Sequence, residues 1–123
     1  MATKKILYID ADDIIGAMYA RKLKVAGYDV SWVKNGNEGL ISARENHFDL
    51  IILDIYIPER HGLDILQSLS NQKQDLLQGT KVIILTNIEQ TDESRNIIKK
   101  VADAYLIKAE TTPIRLISIL KQI

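Results

Sequence analysis

Five residues of this chain carry side chains suited to one piece of chemistry: Asp10, Asp12, Asp54, Thr86 and Lys108. Each stands just past the end of a short apolar run, so a fold that gathered those ends would bring together three carboxylates, a hydroxyl and an ammonium. Gathered carboxylates repel and raise one another's pKa unless they share a cation. Oxygen ligands at an open, hydrated site suit Mg²⁺, which keeps several waters and takes one or two carboxylates with phosphate oxygens. Carboxylate, Mg²⁺ and lysine together are the equipment of phosphoryl transfer, in which an aspartate serves as nucleophile while metal and ammonium offset the charge in transit. Thr86 would add a hydroxyl hydrogen bond to the transferring group. Singly, an Asp after an apolar run is more often a turn or cap residue; the weight rests on all five converging.

Convergence demands a particular architecture. Apolar runs with β-branched content at residues 6–9, 30–33, 50–53, 82–85 and 104–107 each fit a buried strand. Between them, apolar residues recur at helical spacing, as in Ile14, Ile15 and Met18, in Leu63, Leu66 and Leu69, or in Ile97, Ile98 and Val101. Gly27 stands where a left-handed helix end is wanted, and Thr112-Pro113 supplies a cap and a first-turn proline to the last helix. Strictly alternating strands and helices imply parallel pairing with right-handed crossovers. The expected fold class is α/β, a doubly wound five-stranded parallel sheet with helices on both faces. Ligands of such sheets sit outside the carboxyl ends of the strands, where the five residues fall.

Length and composition bound the function. A chain of 123 residues builds one core, so a single domain over 1–123 is expected. Sixteen basic and sixteen acidic residues cancel, which leaves no global field to hold a phosphate backbone or an anionic bilayer. No direct nucleic-acid partner and no membrane partner are expected. The absence of cysteine excludes disulfides, thiol nucleophiles and thiolate metal sites. No apolar run approaches the ~20 residues that span a bilayer, and the N-terminus carries no signal-peptide core, so a cytoplasmic location is expected.

Longer motifs now join the five residues: Lys5-Ile-Leu-Tyr-Ile-Asp10, Ala26-Gly27-Tyr28, Asn35-Gly36, Asp49-Leu-Ile-Ile-Leu-Asp54-Ile-Tyr-Ile-Pro58, Gly62-Leu63, Val82-Ile-Ile-Leu-Thr86 and Ala102-Asp-Ala-Tyr-Leu-Ile-Lys108. With these the chain resembles, over essentially its whole length, the response-regulator receiver domains of two-component systems. The resemblance implies a flavodoxin-like (βα)5 sheet in the order 2-1-3-4-5. It implies Asp54 as phospho-acceptor, with Mg²⁺ served by Asp10, by Asp54 and by the backbone carbonyl of Tyr56. Lys108 would pair with the phosphoryl group, and Thr86 with Tyr105 would form the conformational switch. The donor would be a histidine kinase or a histidine phosphotransfer protein. Phosphorylation adds about −1.5 to −2 charge at Asp54 and would switch the face made by the fourth helix, fifth strand and fifth helix. Ile88, Arg95, Tyr105 and Arg115 are candidates on that face, through which a homodimer is one expected partner arrangement.

Three departures from the family pattern stand out. Ala11 occupies the place of a second acid and cannot bind metal, which makes Asp12 the substitute ligand, directly or through water. Asn87 follows Thr86 where a small residue is usual and would narrow access to Asp54. Ala109-Glu110 follows Lys108 where many receivers have a proline joined by a cis bond. Two rival readings follow. One is a degenerate receiver that acts as a phosphorylation-independent interaction module, with Ala11 as its support. The other is a phosphohydrolase resembling the haloacid dehalogenases, with Asp10 of Asp10-Ala11-Asp12 as nucleophile. That second rival leaves Asp54 unexplained. His61 and His47 read as solvated histidines, Trp32 and Tyr28 as edge-strand aromatics, and Lys99-Lys100 as a solvated helix face.

Overall fold

The computed structural model describes residues 3–70, 79–87 and 90–123. Five strands and five helices alternate along them: β1 (Lys5–Ile9), α1 (Asp13–Val25), β2 (Asp29–Val33), α2 (Gly36–Glu45), β3 (Leu50–Leu53), α3 (Gly62–Ser70), β4 (Lys81–Thr86), α4 (Asp92–Val101), β5 (Ala104–Ile107) and α5 (Pro113–Leu120). A 3₁₀ turn over Lys108–Glu110, which spacing did not foretell, separates β5 from α5. All strand pairs are parallel, and the sheet order is β2-β1-β3-β4-β5. Ile88, a candidate on the output face, lies outside the described residues.

Alternation along each strand divides the core into two layers. Leu7, Ile9, Ile51, Leu53, Val82 and Ile84 point to one face, where they pack with buried residues of α2, α3 and α4. Ile6, Tyr8, Leu50, Ile52, Ile83 and Leu85 point to the other, against α1 and α5. β3 is buried at all four positions and β4 at all but its first, as strands covered on both faces must be. Side-chain caps start α1, α2, α4 and α5: Asp12, Asn35, Thr91 and Thr112 each accept a backbone N–H of the following turn.

Register fixes the site. Ile9 pairs with Leu53, so Asp10 and Asp54 are the next residues of adjacent strands, and the Asp54 N–H donates to the Ile9 carbonyl at 3.0 Å. Thr86 pairs with Ile107, which puts Lys108 one step beyond it. The order reverses at β1 and β3, the two strands that deliver the paired aspartates.

Candidate functional site

Asp10 is wholly buried at the end of β1. One of its carboxylate oxygens, Oδ2, accepts the Tyr8 hydroxyl at 2.6 Å and lies 2.7 Å from Nζ of Lys108. The other, Oδ1, accepts the Asp12 N–H at 2.9 Å. Among the described residues no buried side-chain polar atom lacks a partner, as a charge at this depth requires. Tyr8 and Asp10 are two apart on one strand and therefore share a face. Burial, then the charge of Asp10 and the hydrogen bond to it, push the Tyr8 phenol far above its usual range. It remains a neutral donor to the carboxylate.

Asp54 directly follows β3 with its side chain 12% exposed, which leaves an opening to solvent that Asp10 lacks. Its Oδ2 receives Nζ of Lys108 at 2.7 Å, and its Oδ1 faces the Tyr56 N–H at 3.4 Å. Lys108 thus bridges both carboxylates through a side chain only 7% exposed. Burial alone would lower its pKa, but the hydrogen bonds to Asp10 and Asp54 and their charges outweigh that cost and raise it. The ammonium stays charged, and the pair of carboxylates keeps one negative charge in excess. The chain after Asp54 turns back through Gly62, whose N–H donates to the Ile55 carbonyl at 2.8 Å. A Cβ on Gly62 would stand 2.6 Å from the Asp54 carbonyl oxygen and 2.7 Å from Cα of Ile55, so glycine is dictated by this close approach.

The other candidates fall as follows. Thr86 closes β4 beside this group and is 1% exposed. Tyr56 is exposed, and its ring meets the His61 ring edge-on at 5.1 Å. Asp12 does not join Asp10 and Asp54: its Oδ1 accepts the N–H groups of Ile14 and Ile15 as the cap of α1, and the residue is exposed. Tyr105 is 36% exposed and lines a shallow cleft of about 230 Å³ with Arg95, Ile98 and Lys99.

Three aromatic residues at the site escaped sequence reasoning. Trp32, read as an edge-strand aromatic, donates its indole N–H to the Asp10 carbonyl at 2.9 Å and stacks on Tyr8 with 6.4 Å between centroids. Tyr19 packs edge-on against Tyr8, donates to the Thr111 carbonyl and lies 3.2 Å from that of Lys108. Tyr8 was traceable from its shared face with Asp10. Tyr19 and Trp32 left no signal, because their partners are backbone carbonyls distant in sequence.

A buried carboxylate beside a partly open one, bridged by a lysine, stands at the carboxyl edge of a doubly wound parallel sheet, where α/β domains of this class bind their ligands. The model of the response regulator receiver domain matches residues 6–121, and the chain belongs to that family. It is 32% identical over 104 residues to the transcriptional regulatory protein QseB of Haemophilus influenzae; the match covers 85% of this chain but 45% of QseB. The chain therefore spans about half the length of that relative. Chemotaxis protein CheY4 of Vibrio cholerae superposes with a TM-score of 0.84 at 30% identity, covering 98% of each chain. A response regulator of Burkholderia pseudomallei, solved with a phosphorylated aspartic acid, calcium and citrate, superposes with a TM-score of 0.80 at 26% identity over 94% of this chain and 65% of that one. The fold is the flavodoxin-like receiver fold, and the domain is a signalling domain of two-component systems.

Proposed function

We propose that this receiver domain accepts a phosphoryl group on Asp54 and signals through the change that follows. The observation that carries the reading is the arrangement of the two aspartates: Asp10 is sealed and fully hydrogen-bonded, while Asp54 keeps an opening and holds Lys108 on one oxygen. An Asp54 oxygen attacks the phosphorus of a phosphohistidine, the P–N bond breaks, and the new P–O bond leaves an acyl phosphate. Lys108 pairs with the phosphoryl oxygens, and the Thr86 hydroxyl donates to one of them. Thr86 and Tyr105 then carry the shift to the face of α4, β5 and α5, where a second copy of the chain would also dock. The domain is no enzyme in the usual sense; its turnover is limited to its own phosphorylation and hydrolysis.

The donor set fits Mg²⁺ in reduced form. Two carboxylates with one excess negative charge match an ion that takes one or two carboxylates and keeps its waters. Among the described residues no cluster of three acidic or imidazole groups supports tighter holding. Asp10, Asp54 and the carbonyl of Tyr56 would hold the ion, while Asp12 stays on its cap. When bound, Mg²⁺ would supply charge neutralisation of the transferring group.

A histidine kinase or histidine phosphotransfer protein is the proposed donor. A cleft of about 390 Å³ opens beside Lys108 with Ile15 and Met18 of α1 and Pro113 of α5 on its walls. Ile14 and Ile114, on the same helices, are 83% and 79% exposed. These apolar side chains suit the face of a donor helix. Among the described residues no helix is long and apolar enough to cross a membrane, and the proposed location is the cytoplasm.

The engaged oxygens of Asp10, together with Ala11, favour a second reading, the phosphorylation-independent interaction module. Burial of Asp10 disfavours its use as a hydrolase nucleophile. Exposure to a small phosphodonor with and without Mg²⁺, read by intact mass, separates the three. A Mg²⁺-dependent gain of one phosphoryl group that Asp54→Asn abolishes is expected. No gain would establish the interaction module, and label on Asp10 the hydrolase.

A further inference from the structure

Two of the three departures from the family pattern touch each other. The Ala109 N–H donates to Oδ1 of Asn87 at 2.8 Å, across 22 positions of sequence. Asn87 directly follows β4, and Thr86 and Ile107 are the last register partners of β4 and β5. The Asn87 side chain therefore adds one rung to the ladder beyond the point where the two strands separate.

Each partner needs the other. A proline at position 109 would have no N–H to give, and a small residue at position 87 would have no carbonyl oxygen to receive it. The bond also falls where support is needed, because a single 3₁₀ turn is held by poorly aligned hydrogen bonds. Within the turn the Thr111 N–H reaches the Lys108 carbonyl at 3.1 Å, and the Thr111 hydroxyl donates to the Ile107 carbonyl at 2.8 Å. Tyr19 braces the same side from α1. On the β4 side, Asn87 supplies the hydrogen bond to the peptide that follows Lys108.

We propose that Asn87 is a positioning residue for Lys108: by accepting the Ala109 N–H it fixes the turn that aims the Lys108 ammonium between Asp10 and Asp54. The proposal deepens the phospho-acceptor reading and rests on Lys108 serving that site. It also ties the residue after Thr86 to the turn that carries the lysine.

The test uses the ¹⁵N-labelled 123-residue chain without phosphodonor or metal and follows water exchange of the Lys108 ammonium protons and the Ala109 amide proton by NMR. Asn87→Ala is expected to accelerate both by about two- to tenfold, the equilibrium equivalent of one hydrogen bond. Asn87→Asp, which keeps an acceptor oxygen in place, is expected to restore slow exchange. In an Ala109→Pro background, Asn87→Ala is expected to add nothing to the Lys108 rate. Unaltered Lys108 exchange in Asn87→Ala, or exchange in Asn87→Asp as fast as in Asn87→Ala, would overturn the proposal. The mass assay on Asp54 runs separately: altered exchange without phosphorylation keeps the positioning role while removing the phospho-acceptor reading.

Discussion

Nζ of Lys108 lies 2.7 Å from Oδ2 of Asp54, although the two residues are 54 positions apart. The same nitrogen is 2.7 Å from Asp10, so one cation serves two carboxylates within the site. Charge balance there depends on this lysine more than on any other residue.

Removing the cation while keeping both acids is therefore costly. Lys108→Met is expected to lower unfolding free energy by about 3 kcal/mol, the low end for a broken buried pair. Adding Asp54→Asn should recover part of the loss, since one of the facing charges goes. Urea unfolding of the two variants checks both the loss and the recovery; a further fall in the double variant would contradict the charge argument.

Tyr8→Phe deletes the hydroxyl that donates to Asp10 at 2.6 Å and leaves the ring and its packing in place. A hydrogen bond to a buried carboxylate is worth about 1.5–3 kcal/mol, and a loss in that range is expected with an unchanged denaturant slope. A midpoint equal to that of the unaltered chain would show the bond to be idle.

Alkaline pH should unfold the domain cooperatively. The Lys108 pKa is raised above its ordinary 10.5, so its contribution is complete below that value and disappears as pH rises through the folded-state pKa. Tyr8 acts in the same direction: above its ordinary 10.0 the unfolded chain loses a proton that the folded chain retains, and stability falls. Thermal melts from neutral pH upward are expected to be level until about pH 10 and to decline beyond it, less steeply in Tyr8→Phe.

Restoring the missing acid should strengthen metal binding. Ala11→Asp adds a carboxylate next to Asp10 and is expected to tighten Mg²⁺ binding by at least about tenfold. Trp32, the single tryptophan, donates to the Asp10 carbonyl and reports the titration through its emission. Equal affinity in the two proteins would mean that the loss of the acid is compensated elsewhere.

Gly62→Ala forces a methyl group against the backbone that carries Asp54. Overpacking of this kind costs about 1–3 kcal/mol, and the displaced loop should slow labelling of Asp54. Equal stability and labelling rate would show that the loop yields freely.

The strands, the helices, their alternation and the places of Asp10, Asp54, Thr86 and Lys108 at strand ends were all legible in the amino-acid sequence. Hydrophobic periodicity is a local property, and parallel pairing with right-handed crossovers leaves few ways to assemble such elements. The tertiary structure alone decided how the polar groups are shared. It placed the Asp12 carboxylate on the N-terminus of α1, where it accepts two backbone N–H groups. It brought Tyr19 and Trp32 around the site and joined Asn87 to Ala109. A hydrogen bond needs its two atoms within about 3 Å, and residues far apart in sequence reach that distance only once the sheet register is set. That is the reason the approach of Asp10 and Asp54 could be read from residue order, while the bridging of both by Lys108 could not.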